Sequence, residues 1–122
     1  MQTGRSVLVL DDDPSVLKGI GRLLKAHGFL AELFDSIEAF HDRANLSEAL
    51  CLVLDINLNG KSGIELRRQI ASSGASLPVI FITAIDNDAT RTSALEAGCV
   101  DYLEKPFAAK SLIDAIVRAS VW

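Results

Sequence analysis

Two groups of aspartates follow apolar runs of strand length in this sequence. Asp11, Asp12 and Asp13 come directly after VLVL, and Asp55 comes after LCLVL. Carboxylates held close together repel one another and raise their own pKa values unless a cation lies among them. Because neither loop contains histidine or cysteine, the ligands are oxygens, which favour Mg²⁺ over zinc or copper. The pattern predicts a magnesium site, with Asp12 and Asp55 as direct ligands and Asp11 bound through water.

Thr83 and Lys105 follow two later strand-like runs and add phosphoryl chemistry to the acids. A carboxylate can attack phosphorus and form an acyl phosphate, so Asp55 is the predicted nucleophile. The Lys105 ammonium would pair with one phosphoryl oxygen, and the Thr83 hydroxyl would donate a hydrogen bond to another. Threonine is also a common strand residue, so a purely structural role for Thr83 stays open here.

Five apolar runs predict the strands that must position these residues. Three are almost continuously apolar, as expected for central strands covered on both faces, whereas the run that contains Glu32 alternates and suits an edge strand. The fifth run is short and weakly patterned. The predicted strands are residues 6–10, 30–34, 50–54, 77–82 and 100–103.

Helical patterns separate these runs. Asp13 and Pro14 form a good helix start, which gives Asp13 a structural alternative to metal binding, and Ser36 and Ser62 are candidate N-caps. The predicted helices are residues 14–26, 37–43, 63–71, 87–97 and 108–118. This β-α alternation predicts an α/β fold, a doubly wound, five-stranded parallel sheet of the flavodoxin-like kind with five helices and the order 2-1-3-4-5. Ligands of such sheets bind outside the carboxyl ends of the strands, where the candidate residues stand.

The bulk properties limit the function classes. A chain of 122 residues with 49% hydrophobic composition predicts one domain over residues 1–122. A net charge of -4 argues against direct binding to nucleic acid, which needs clustered lysine and arginine. The first ten residues match neither a signal peptide nor a membrane span, so a cytoplasmic protein without a membrane partner is expected.

Four ordered blocks resemble the receiver domain of two-component response regulators. They are VLVLDDDPSV at 7–16, LVLDINLNGKSGIEL at 52–66, PVIFITA at 78–84 and AGCVDYLEKPF at 97–107. The resemblance implies that Asp55 is the phospho-acceptor, that Asp11 and Asp12 are the metal-binding acids, and that the backbone carbonyl of Asn57 is a further Mg²⁺ ligand. It also implies a cis peptide bond before Pro106.

The resemblance further implies a phosphorylation-activated signalling switch rather than an enzyme, although such domains assist their own phosphorylation and dephosphorylation. The phosphoryl donor would be the phosphohistidine of a sensor histidine kinase, or a small acyl phosphate. Thr83 and Tyr102 would move together and remodel the face of helix 4, strand 5 and helix 5, which is expected to support a phosphorylation-dependent homodimer. The segments SIEAF at 36–40 and AGCVDYLEKPF at 97–107 are similar to receivers that precede a helix-turn-helix DNA-binding output domain, which implies transcription regulation. For Tyr102 the alternative is a half-buried aromatic on an edge strand.

The sequence departs from the family pattern beside the acceptor. Receivers usually carry Met and then Pro three and four residues after it, where this chain has Leu58 and Asn59, followed by Gly60. Gly63 keeps its expected spacing, so the loop is expected to fold with altered stiffness. Asn57 and Ile85 occupy positions that tune water access in such domains, and an apolar Ile85 predicts slow loss of phosphate.

Two other protein classes and a degenerate receiver compete with this interpretation. A phosphatase of the haloacid dehalogenase type also uses an aspartate nucleophile with threonine, lysine and Mg²⁺, but its nucleophile belongs to a DxDx(T/V) motif on the first strand. A nucleotide- or flavin-binding module would need Gly, Ser or Thr in the first loop, where Asp-Asp-Asp-Pro would repel phosphate. A receiver serving only as an interaction surface would not need the acids, threonine and lysine.

Overall fold

Strands and helices alternate along the chain in a computed structural model that describes residues 5–121. The inclusion of residues 1–4 and 122 in the domain lies outside that description. The strands are β1 (Ser6–Leu10), β2 (Leu30–Phe34), β3 (Ala49–Asp55), β4 (Val79–Thr83) and β5 (Asp101–Glu104). The helices are α1 (Pro14–Ala26), α2 (Ile37–Arg43), α3 (Gly63–Ser72), α4 (Asp88–Ala97) and α5 (Ala109–Ala119), with a short 3₁₀ turn at Leu46–Glu48.

All five strands pair in parallel in the order β2-β1-β3-β4-β5, which confirms the predicted doubly wound sheet. Four predicted elements have the observed bounds, and the others differ by one or two residues. The largest difference is at the start of β4, which begins at Val79 because Pro78 has no N–H to donate. The Pro78 carbonyl still accepts a hydrogen bond from the Leu52 N–H at 2.9 Å, so the chain already runs beside β3 there.

The apolar residues of the central strands divide between two cores because side chains alternate across a sheet. Leu52 and Leu54 of β3 lie in the core that also contains Phe34 and Phe81. Val53 lies in the opposite core. That second core includes buried residues of α1 and α5, namely Leu17, Ile20, Leu24, Leu112 and Ile116. Burial on both faces explains why β1, β3 and β4 are almost uniformly apolar.

Short polar side chains begin four of the helices. Asp13 accepts a hydrogen bond from the Ser15 N–H at 2.9 Å, so the helix-start interpretation of Asp13 is confirmed. Ser36, Ser62 and Asn87 accept in the same way from N–H groups of α2, α3 and α4. Each cap satisfies an N–H that has no partner within its helix. No helix within residues 5–121 has both the length and the apolarity needed to cross a bilayer.

The departure from the family pattern beside Asp55 forms a small antiparallel ribbon. Asn57–Leu58 pairs with Lys61–Ser62. The two residues between them have positive φ, 53° at Asn59 and 82° at Gly60, the backbone combination of a type I′ turn. Asn-Gly is a strong signal for that turn, so the ribbon could have been predicted from the sequence. The expectation that the loop folds is confirmed, and its stiffness stays a prediction.

Gly63, the first residue of α3, lies against the backbone of Asp55. Its N–H donates to the Ile56 carbonyl at 2.7 Å. A Cβ atom at this position would lie 2.1 Å from the Asp55 carbonyl oxygen, which is too close for any side chain. The absence of a side chain at Gly63 therefore allows α3 to begin directly beside the end of β3.

Replacing Gly63 with alanine tests this close approach. We expect Gly63→Ala to lower the free energy of unfolding by about 1 to 3 kcal/mol, because the backbone of β3 or α3 must shift to admit the methyl group. Urea denaturation measures the change. The matched control is Gly19→Ala in α1, where a Cβ would meet nothing within 4 Å. That variant should gain about 0.5 to 1 kcal/mol from helix propensity. Equal stability of the two variants would contradict the prediction.

Candidate phosphoryl-accepting site

Asp11, Asp12 and Asp55 meet at the carboxyl edge of the sheet, as predicted. β1 ends at Leu10 and β3 ends at Asp55, and these two strands are neighbours. One carboxylate oxygen of each aspartate lies within 4.8 Å of those of the other two. Asp11 is fully buried and Asp55 is 5% exposed, whereas Asp12 is partly exposed. The cluster therefore lies half inside the protein and opens to solvent at Asp12.

Backbone N–H groups orient the three carboxylates. The Asp11 Oδ1 atom accepts from the Asp13 N–H at 2.9 Å, and the Asp55 Oδ1 atom accepts from the Asn57 N–H at 3.1 Å. The Asp12 Oδ2 atom accepts from the Asn59 N–H at 2.8 Å, which connects the first loop to the ribbon after β3. These bonds fix each side chain without neutralising its charge.

Lys105 supplies the positive charge among these acids. Its Nζ atom donates to Asp11 Oδ2 at 2.7 Å and to Asp55 Oδ2 at 3.2 Å. The peptide bond to Pro106 is cis, as the family resemblance implied. Burial favours the neutral amine, but the hydrogen bond to Asp11 and the charge of Asp55 outweigh it and raise the pKa of Lys105. The lysine therefore stays protonated between two buried carboxylates.

The carboxyl group of Asp55 lies in an environment that disfavours its charge. Burial, with the nearby charge of Asp11, raises its pKa to about 6, although the Asn57 N–H and Lys105 oppose the rise. One ammonium thus faces three carboxylates, and negative charge remains in excess. The donor set contains only oxygens. Excess negative charge and oxygen donors both fit a hard divalent cation such as Mg²⁺.

Thr83 reaches the same edge, but its hydroxyl is engaged elsewhere. Asp55 lies opposite Ile82 in the β3–β4 register, so Thr83 is one residue beyond the level of Asp55. Its Oγ1 atom donates to the Ile85 carbonyl at 2.9 Å and accepts from the Ile85 N–H at 3.0 Å. The threonine is therefore correctly placed along its strand, while its hydroxyl hydrogen is not available to Asp55 in this conformation.

Tyr102 lies on β5 and is only 9% exposed, so the half-buried alternative understates its burial. Its hydroxyl is 3.4 Å from the Ile85 carbonyl oxygen and 3.5 Å from Asp86 Oδ1. The guanidinium of Arg91 lies 4.6 Å from the ring centroid. Sequence reasoning missed Asp86 and Arg91. The only sequence signal for their ion pair was a separation of five residues across the start of α4.

The raised pKa of Asp55 leads to a prediction about stability without metal. The carboxyl group titrates near pH 3.9 in an unfolded chain and at about 6 in the folded protein. The folded state therefore holds a proton that the unfolded chain has released, and stability falls as pH rises between these values. Asp55→Asn removes this penalty. With EDTA present, the variant should exceed wild type by about 1 to 3 kcal/mol above pH 7.

Urea denaturation of both proteins across the pH range measures this difference. The advantage of Asp55→Asn should shrink toward zero near pH 4, where both side chains are uncharged in the folded protein. Titratable groups that do not interact with Asp55 cancel in the comparison. A difference that does not change with pH would show that burial of Asp55 does not carry the effect.

The sheet, the acid cluster and the lysine together define an α/β domain with a candidate divalent-cation site at its carboxyl edge, and comparisons with known proteins identify the family. The response regulator receiver domain model matches residues 7–117. The chain therefore belongs to the response regulator receiver domain family, whose members are signalling proteins rather than classic enzymes. Phosphorylation-dependent signalling is the general activity of this family.

Individual relatives agree with the family model. Response regulator protein TodT of Pseudomonas putida is 34% identical over 113 residues, which cover 93% of this chain and 50% of that protein. Response regulator MprA of Mycobacterium avium is 39% identical over 108 residues, covering 88% of this chain and 47% of that protein. The chain thus spans about half the length of these curated relatives. The crystal structure of FixJ-N has a TM-score of 0.84 and 34% identity, over 99% of this chain and 96% of that one.

Proposed function

We propose that this domain is a Mg²⁺-dependent switch in which Asp55 accepts a phosphoryl group. The observation that carries the proposal is the nearly buried carboxylate of Asp55 at the carboxyl edge of the sheet. It lies beside Asp11, and the Lys105 ammonium contacts both carboxylates. The donor is the phosphohistidine of a sensor histidine kinase or a small acyl phosphate. The acceptor needs no activating base, because an ionised carboxylate is already a nucleophile.

In the proposed reaction an Asp55 oxygen forms a bond to phosphorus as the bond from phosphorus to the donor nitrogen or oxygen breaks. Its product is an acyl phosphate with charge spread over three oxygens. Lys105 offsets that charge as a compact cation already in contact with Asp55. Bound Mg²⁺ would supply further neutralisation. Its proposed ligands are Asp11, Asp12, Asp55 and the backbone carbonyl of Asn57.

The proposed response begins at Thr83, whose hydroxyl would leave the Ile85 carbonyl and donate to a phosphoryl oxygen. Tyr102 would respond with it, and the face of α4, β5 and α5 would change. A charge added at one site shifts a conformational equilibrium only through contacts that differ between the two states, and the Thr83 hydrogen bond is such a contact. Homodimerisation through this face on phosphorylation is part of the proposal.

The relatives are about twice as long as the part that this chain matches, which supports a proposal about a further, output domain. One solved relative, DrrB of Thermotoga maritima, is described as an OmpR/PhoB homologue, and the present chain covers 49% of it at 29% identity. We infer that the receiver works in the cytoplasm with a C-terminal DNA-binding output domain and controls transcription. The domain itself is not proposed to bind DNA.

Incubation with acetyl phosphate and Mg²⁺, followed by intact-mass measurement, tests the acceptor. Wild type should gain one phosphoryl mass, and Asp55→Asn should gain none. Asp13→Asn is the matched control, because Asp13 caps α1 without joining the acid cluster, and it should gain the same mass as wild type. EDTA should abolish the gain. Equal gain in wild type and Asp55→Asn would reject Asp55 as the acceptor.

Ile85 leads to a prediction about phosphate lifetime. Its side chain is 54% exposed and lies two residues after Thr83, where it offers no group that could orient an attacking water. After removal of acetyl phosphate, Ile85→Glu should lose phosphate about three- to tenfold faster than wild type. This rate increase is smaller than that of a fully positioned general base, because the new side chain is exposed. Intact mass followed over time measures the loss.

The control for this comparison is Leu95→Glu, which places the same charge on a 60% exposed residue of α4. Its phosphate should persist as long as in wild type. Equal or faster loss from the unaltered chain than from Ile85→Glu would show that Ile85 does not limit water attack.

A further inference from the structure

Arg91 of α4 joins two residues beside the proposed switch. Its Nη2 atom donates to both carboxylate oxygens of Asp86 at 2.9 Å. The same guanidinium lies 4.6 Å from the centroid of the Tyr102 ring, within the range of a cation–π contact. Asp86 also lies 3.5 Å from the Tyr102 hydroxyl. Arg91 therefore covers the ring of Tyr102 and holds the carboxylate next to its hydroxyl.

Tyr102 and Thr83 share one acceptor. The Thr83 hydroxyl donates to the Ile85 carbonyl at 2.9 Å, and the Tyr102 hydroxyl lies 3.4 Å from the same oxygen. The longer distance marks a weak hydrogen bond. If Thr83 turned toward a phosphoryl group, the Ile85 carbonyl would lose its stronger donor and would need another hydrogen-bond partner. The Tyr102 hydroxyl already lies within 3.4 Å of that oxygen and could replace it.

We propose that Arg91 is a positioning residue that fastens Tyr102 beside the Ile85 carbonyl and thereby favours the coupled movement of Thr83 and Tyr102 that the proposed function already contains. The inference rests on the proposed function and adds a regulatory contact to it. A planar guanidinium can stack on the ring and bind Asp86 at once, which a lysine ammonium cannot do in the same geometry. Arg91 thereby lowers the free-energy cost of the Thr83 movement without contacting the phosphoryl site.

The single tyrosine of the chain allows a direct test. Incorporation of 3-fluorotyrosine places one ¹⁹F nucleus on Tyr102, and its solvent isotope shift between H₂O and D₂O reports exposure of the ring. In wild type the shift should be small. In Arg91→Ala and in Arg91→Lys it should increase, because both variants lose the stacked guanidinium. Arg68→Ala is the matched control, since Arg68 is an exposed arginine paired with Glu65 at 3.8 Å, away from the ring.

Titration with beryllofluoride and Mg²⁺, followed by the same ¹⁹F signal, tests the coupling. The midpoint for Arg91→Ala should lie about two- to fivefold higher than for wild type, the equilibrium effect of an exposed cation–π contact. Arg91→Lys should behave like Arg91→Ala, and Arg68→Ala like wild type. Intact mass after acetyl phosphate should show the phosphoryl gain in all of them, because Arg91 does not touch the acid cluster.

The outcomes separate the two proposals. If wild type gains no phosphoryl mass and shows no response to beryllofluoride, the proposed function fails. If wild type responds and Arg91→Ala gives the same isotope shift and the same midpoint, the role of Arg91 is overturned while the acceptor function stands. A wild-type response from Arg91→Lys would likewise overturn the stacked guanidinium as the fastening contact.

Discussion

The ammonium of Lys105, shared between Asp11 and Asp55, is the interaction on which the carboxyl edge of this domain depends. Asp11 is fully buried, so its charge cannot be solvated and must be met by hydrogen bonds and by a counter-ion. The strand order places β4 between β3, which ends at Asp55, and β5, which Lys105 directly follows. A long side chain can reach across that strand end. A shorter basic residue or a different strand order would leave the two buried carboxylates without a cation.

The same arrangement explains why this cluster of carboxylates is costly to fold. Lys105 offsets only part of the negative charge, and burial together with Asp11 keeps the pKa of Asp55 raised. A cation or a rearranged lysine relieves this repulsion, so the free energy stored in the folded protein is released on binding. The apolar strands that surround the site compensate for the cost, since β1, β3 and β4 are buried on both faces.

The sequence predicted the sheet order, the ten main elements and the convergence of the acids with Lys105, because apolar runs of strand length mark the strands to within one or two residues. It could not predict that Lys105 bridges Asp11 and Asp55 or that Thr83 donates to Ile85. Those choices depend on which donors and acceptors compete within a few ångströms, and residue spacing carries no such information. The turn at Asn59-Gly60 is different, because its local signal was present and a comparison with the usual family pattern obscured it.

The Ile85 carbonyl links the chemistry of the sheet edge to the surface at α4. This carbonyl accepts a hydrogen bond from Thr83, which lies one residue beyond Asp55 in the sheet register. It also lies near the hydroxyl of Tyr102, and Arg91 of α4 covers the ring of that tyrosine. A continuous chain of rigid side-chain contacts between Asp55 and α4 is therefore unnecessary. In the proposed switch, two hydroxyl donors beside one carbonyl couple the two regions, because movement of either changes the hydrogen-bond energy available to the other. The side chain of Ile85 is largely exposed, so it can vary in chemistry while its backbone retains this role.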